Sequence, residues 1–241
     1  MSVRTCFKNK ILAALPETEI RNLVPHLSPV VLNAREILAD GAPRFGYFLE
    51  EGLASVVITL PRGEEVEVAA VGSEGVAGVS LLLGVHEAPG RTSMQVNGLG
   101  FSVPAEHLRK AFENPSELQT RLQRYLQGFI VQMAQNSACN RHHQIIQRLA
   151  RWLLTCNDRV QNDRMPLTHD VLGCVLGAPR ATVTLAAGKL LRAGLIEYTR
   201  GHLTITDRAG LENAACDCYR IVRDEFRHLE SLPAQPVGLD I

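Results

Sequence analysis

No run of apolar residues is long enough to span a bilayer, which excludes a membrane-spanning helix. The opening, MSVRTCFKNKILAALPETEI, holds one short apolar patch and no signal-peptide cleavage pattern, so a cytoplasmic location with no membrane partner is expected. An excess of either charge is also missing. The chain carries 25 Lys+Arg against 25 Asp+Glu, so its overall charge points to no partner. The six cysteines (Cys6, Cys139, Cys156, Cys174, Cys216 and Cys218) lack the spacing of a disulfide framework and are expected to be thiols. There is no defensible Ser-His-Asp order, no phosphate loop, no two-carboxylate cleft and no metal-ligand helix. The chain therefore reads as a non-enzyme with no catalytic residue and no expected cofactor.

What is present can build a core. Of the 241 residues, 46% are hydrophobic and 21% charged, enough for one large domain or two small ones. Residues 9–27 carry helix-start signals, with Pro16-Glu17 opening a short helix. From Val30 to about Val103, strand-like runs are cut by turn signals, which indicates an antiparallel β-roll or barrel. Val66-Glu67-Val68 alternates apolar with polar, as a half-buried strand does. A long helical tract follows. In PSELQTRLQRYLQGFIVQMAQ, Leu118, Leu122, Tyr125 and Phe129 recur at alternating four- and three-residue steps, and these are expected to meet a second chain. Intrachain core is the alternative for that stripe.

Residues 141–156 form a further amphipathic helix, and the polar stretch NDRVQNDRMP marks a subdomain boundary. Short helices are expected at 168–176 and 179–192, with Gly177 at the C-terminus of the first. EYTRGHLTITD reads as a β-hairpin turning at Arg200-Gly201, followed by helices at 207–230. The expected fold class is α+β. Its division is a sensor β-roll domain with N-terminal helices at 1–114, a central dimerisation helix at 115–140, a winged helix-turn-helix at 141–230 and a mobile tail at 231–241.

In a winged helix-turn-helix the second helix enters the DNA major groove with its N-terminal residues facing base edges. APRATVTLAAGKLL suits that divided task. Arg180, Thr182 and Thr184 stand early, and Arg180 can pair bidentately with guanine. Val183, Leu190 and Leu191 are expected to form an inward stripe. Thr168 is expected to cap the preceding helix and also to face phosphate; Lys189, and His202 at the wing tip, are weaker phosphate candidates, and a surface role weighs equally for these two and for His169. Between 141 and 208 there are ten basic and five acidic residues, a local net charge of +5 within a neutral chain. The expected partner is double-stranded DNA. The competing reading is a ligand-binding signalling module whose C-terminal domain contacts protein.

Two cysteine clusters invite a metal. Cys139-Asn140-Arg141-His142-His143 offers soft ligands, and Cys216-Asp217-Cys218 is a close thiol pair. On a helix, Cys216 and Cys218 point about 200° apart and do not converge, so no metal site is expected. A redox response at Cys216 or Cys218 is the remaining role for that pair.

The order of β-roll, long helix and winged helix-turn-helix resembles the CRP/FNR family of bacterial transcription regulators over nearly the whole chain. The match is strongest in LTHDVLGCVLGAPRATVTLAAGKLLRAGLI, with EGLASVVITLPRGEEVEVAAVGSEGVAG similar to the family's sensor roll. The resemblance implies a homodimer on a pseudo-palindromic site and an effector signal relayed along the central helix. Activation would require a surface touching RNA polymerase, and no stretch announces one. Cyclic-nucleotide readers of the family use a Gly-Glu pair and an Arg-Ser or Arg-Thr pair. Arg91-Thr92 matches the second pair. Gly78 keeps the glycine of the first, but Val79 replaces its carboxylate, and Glu74 lies upstream where only a shifted loop could bring it in. The effector site implied by Gly78, Arg91 and Thr92 is thus not expected to take cyclic AMP. The alternative for Arg91 is an ion pair with a carboxylate such as Glu87. Iron–sulfur sensing in the family needs several N-terminal cysteines, and only Cys6 stands there.

Overall fold

The computed structural model describes residues 7–85, 87, 88, 90–160 and 164–233. Cys6, His86 and most of the 231–241 tail lie outside the described residues.

Helix α1 (Lys10–Ala13) is anchored by Asn9, whose side chain is fully buried. Its Oδ1 accepts from the Ile11 and Leu12 amides at 3.2 Å, while its Nδ2 donates to Leu49 O and Gly75 O at 3.0 and 2.8 Å. A buried amide with every bond satisfied fixes the helix without a desolvation penalty. Helix α2 (Glu17–Leu23) starts just after Pro16, as the sequence predicts. The roll then runs through β1 (Ser28–Leu32), β2 (Ile37–Ala39), β3 (Phe45–Thr59), β4 (Glu65–Val71), β5 (Val76–Ala77), α3 (Val79–Leu82) and β6 (Arg91–Pro104). The sheet order is β1-β6-β3-β4, with β2 added to β6 and β5 to β3, all antiparallel. The long β3–β6 pair is bulged around Glu51 and Leu53. Gly52 takes a φ of 95° there, and a Cβ on it would stand 2.8 Å from Asn97 O, so the crossing requires glycine.

The alternation in Val66-Glu67-Val68 is inverted relative to expectation. Glu67 is buried and the two valines are half-exposed. The reason lies outside the sheet: the second face of β4 is covered by helices carrying polar partners.

Helix α4 (Ala105–Glu113) leads to α5 (Glu117–His142), the long central helix. Ser116 caps α5 by accepting from Gln119 N at 3.1 Å, and Glu19 accepts from the Glu117 and Leu118 amides at 2.9 Å. Further along, Gln132 exchanges two hydrogen bonds with the backbone of Ala70, and Asn136 Nδ2 donates to Val68 O at 2.9 Å. The two amides satisfy part of the edge of β4 that no strand covers.

Leu118, Leu122, Tyr125 and Phe129 are all buried within the single chain. They belong to one core with Phe48, Val71, Val76 and Leu108 of the roll and α4, and with Val222 and Phe226 of the C-terminal helix. The stripe assigned to a second chain is intrachain core here, because two other elements occupy the space in front of it.

The C-terminal part comprises α6 (Ile145–Val160), β7 (Arg164–Met165), α7 (His169–Leu176), α8 (Arg180–Arg192), β8 (Ile196–Thr199), β9 (His202–Ile205), α9 (Arg208–Ala214) and α10 (Cys218–Ser231). Helices α7 and α8 meet at a bend of 107°, and Gly177 closes α7 in the left-handed conformation with φ 54°. The hairpin pairs Thr199 with His202 around Arg200 and Gly201, with φ values of 49° and 80°, the two-residue turn that matches strand twist. The 207–230 region holds two helices, with a break between them. Ala215 is extended, with ψ 160°, and Cys216 and Asp217 form the joint between α9 and α10. Helix α10 lies on α5, with Phe226 over Gly128, where a Cβ would stand 2.7 Å from the ring.

No single helix among the described residues is long and apolar enough to cross a membrane.

Candidate nucleic-acid interface and its link to the roll

Helix α8 buries Val183, Ala186, Ala187 and Leu190. At 100° per residue, this places Ala181, Leu185 and Arg192 at the centre of the outward face. Leu185 is 70% exposed. Sequence reasoning missed it, although the helical period counted from Val183 and Leu190 already sets it opposite the core. Leu191, expected inward with Leu190, is instead 46% exposed for the same geometric reason.

Arg180 is the first residue of α8 and faces solvent. Its Nη1 lies 3.3 Å from Asp170 Oδ1, with both side chains 68% exposed, so the pair is weak and exchangeable. Thr182 is exposed. Thr184 donates its hydroxyl to Arg180 O at 2.9 Å and sits 3.1 Å from His169 Nδ1, so its hydrogen bonds are spent locally. Thr168 caps α7, accepting from Val171 N at 3.3 Å, and is half-buried. Lys189 is exposed, about half a turn around α8 from Arg180. His202 is half-buried at the wing, with Nδ1 3.3 Å from Arg200 O, and His169 packs on the Tyr198 ring at 4.9 Å.

The three sensor candidates do not converge. Gly78, with φ 106°, lies against Phe45 and Gly46 at the start of β3. Arg91 pairs with Val57 near the other end of that strand, and Thr92 is buried. Arg91 Nη2 forms an ion pair with Glu65 Oε1 at 2.7 Å, so its partner is Glu65 and not Glu87. The other oxygen of Glu65 accepts from Cys174 Sγ of α7 at 3.4 Å, and burial with Glu65 nearby pushes that thiol up to about 11. Arg91 thus stands in a cleft of about 460 Å³ between the roll and the helix-turn-helix, walled by Arg35, Ile37, Thr168, Asp170 and Cys174. Glu74, the upstream carboxylate, is engaged by Arg159 of α6 at 2.8 Å in a buried pair.

Residues 147–214 match the Crp-like helix-turn-helix domain. The C-terminal part of the chain therefore carries a Crp-like helix-turn-helix domain. Among curated proteins, the global nitrogen regulator of Synechococcus elongatus is 28% identical over 179 residues, covering 68% of this chain and 78% of the relative. The global nitrogen regulator of Nostoc is 27% identical over 173 residues, 66% of this chain and 75% of the relative. Among solved structures, FixK2 from Bradyrhizobium japonicum shares the fold with a TM-score of 0.66 at 16% identity, covering 79% of this chain and 98% of that one. A CRP-family regulator from Thermus thermophilus has a TM-score of 0.65 at 22% identity, covering 77% and 96%.

The roll and the helix-turn-helix part share a core. Leu53, Ala70 and Val96 of the roll pack with Trp152, Leu153 and Leu172 of the C-terminal helices. A polar centre lies at the same junction. Glu67 accepts from Trp152 Nε1 at 2.9 Å and from Ser55 Oγ. Burial pushes its carboxyl up to about 7, although both hydrogen bonds pull the other way.

Proposed function

We propose that this protein is a transcription regulator that acts as a homodimer on an inverted-repeat DNA site, with α8 in the major groove of each half-site and a roll not tuned to cyclic AMP. The observation that carries the reading is the orientation of α8: an exposed Arg180 at its first turn, above a buried Val183 and Leu190. The ion pair with Asp170 exchanges for guanine O6 and N7 at little cost, and Leu185 offers an apolar contact to a thymine methyl group. For the dimer, α5 leaves Gln123, Gln127, Ile130, Ala134 and Ser137 exposed at alternating four- and three-residue steps, a seam for a second helix. Against cyclic AMP stand Val79 in the carboxylate position, the separation of Gly78 from Arg91, and the occupation of Arg91 by Glu65.

Selection of bound sites from random DNA by the purified protein tests the reading. Wild type is expected to enrich an inverted repeat with half-sites about 34 Å apart or a multiple of that. Enrichment of a single half-site, or of nothing, would overturn it. The dimer face is tested separately: Ile130→Glu is expected to shift the sedimenting species to monomer, and an unchanged dimer would exclude this seam.

A further inference from the structure

The break between α9 and α10 changes what the cysteines can do. Cys216 lies in the joint and Cys218 is the first residue of α10, so the two are not carried on one helix and their sulfurs can turn to the same side. They turn toward the end of α5. There, Cys139 occupies the last helical turn, and His143 follows one turn later as the residue that ends the helix, its amide donating to Cys139 O at 3.0 Å. Ligand atoms of Cys139, His143, Cys216 and Cys218 all lie within 4.8 Å of one another.

We propose that these four residues form a tetrahedral Cys3His site for a single divalent metal ion of the zinc class. A tetrahedron with zinc–ligand bonds of about 2.0–2.3 Å has edges of about 3.6–3.8 Å. The sulfurs of Cys139 and Cys216 are 3.5 Å apart, and Cys218 Sγ is 3.4 Å from His143 Nδ1. Those edges fit one ion and leave no room for a multi-iron core. The three cysteines are buried and His143 is half-buried, a closed set of four of the kind that serves structure. Gln135 Nε2 lies 3.1 Å from Cys218 Sγ and donates to it, the outer support that orients a thiolate ligand.

The surrounding charge agrees. Arg151 is buried, with Nη1 on Asn136 Oδ1 at 2.6 Å and Nε without a hydrogen-bond partner. Among the described residues, no carboxylate forms an ion pair with it. Three thiolates around a divalent ion carry one net negative charge, which is favourable beside this guanidinium. A Cys139–Cys216 disulfide would use two of the four ligands and leave no role for the imidazole or the third thiol.

The site joins positions far apart in the chain. It fastens the end of α5 to the joint from which α10 returns along α5, and it encloses the whole helix-turn-helix between its two halves. Binding displaces the thiol protons and is therefore favoured by rising pH.

Metal analysis of the purified full-length protein tests the site, together with cobalt titration of chelator-treated protein. The expected result is about one zinc per chain, and, with Co²⁺, thiolate-to-cobalt charge transfer in the near ultraviolet with tetrahedral visible bands. Cys218→Ser is expected to lower cobalt affinity by at least about tenfold, while Cys156→Ser and Cys174→Ser keep it. Because a ligand variant can fail to fold, alkylation of wild type provides a second measurement. Zinc is expected to protect Cys139, Cys216 and Cys218, and chelation to expose them. Protein isolated without metal and giving no cobalt–thiolate band would overturn the proposal, as would equal alkylation with and without zinc.

Discussion

Arg180 and Arg91 are two of the cations that sequence reasoning assigned to a guanine or a phosphate, and the fold treats them in opposite ways. Arg180 stands at the outer end of α8, and its ion pair with Asp170 is two-thirds exposed. Arg91 is about one-third exposed and faces inward, held by Glu65, which in turn accepts from Cys174 of α7. One guanidinium is available to a ligand; the other is part of the contact between the roll and the helix-turn-helix. Residue type and a matching dipeptide do not distinguish these cases. The carboxylate that each meets, and how much water reaches the pair, does.

The comparison extends to the anions, where the largest effect is expected. Asp170 lies in water, whereas Glu67 is buried under Trp152 at the domain junction. The Glu67 carboxyl ionises near 4.5 in the unfolded chain and at about 7 in the folded one. Between those values the folded state holds the extra proton, so stability falls as pH rises from 4.5 through 7 and is level above. The loss attributable to this group is up to about 3 kcal/mol. Glu67→Gln is expected to remove that fall and to melt above wild type at pH 8. Thermal unfolding across pH checks it, and an unchanged pH profile would show that Glu67 is not the buried acid the junction tolerates.

Next in size is Arg180→Ala. Site-specific affinity is expected to drop by about 1–3 kcal/mol, with the salt dependence of nonspecific binding nearly unaltered and the melting temperature unchanged. Anisotropy titrations on the selected site and on random DNA separate the two terms. The smallest effect belongs to Arg91→Ala. Loss of a partly exposed pair is expected to cost no more than about 1 kcal/mol of stability. Calorimetry is expected to find no cyclic AMP binding by either wild type or variant. Binding by wild type that the variant loses would reverse the assignment of Arg91.

The winged helix-turn-helix was legible because its determinants are local. Thr168 caps, Gly177 takes a positive φ, Pro179 precedes a first turn, and Arg200-Gly201 reverses a hairpin; each acts within about four residues of itself. The outward face of α8 was legible in principle from its period, although Leu191 was placed on the wrong side. The candidate sensor site was not legible. Gly78 and Arg91 are close in sequence, yet β3 sets them toward opposite ends of one long strand.

By itself the sequence determined the order of elements and the polarity of α8, since capping, turn chemistry and hydrophobic period are properties of short segments. Only the tertiary structure decided which way side chains on shared elements face. It turned Leu118, Leu122, Tyr125 and Phe129 inward, buried Glu67, and brought Cys139 to Cys216 across 77 residues. Those outcomes depend on what packs opposite, on α10 above all, and no local rule reports the position of an element that far along the chain.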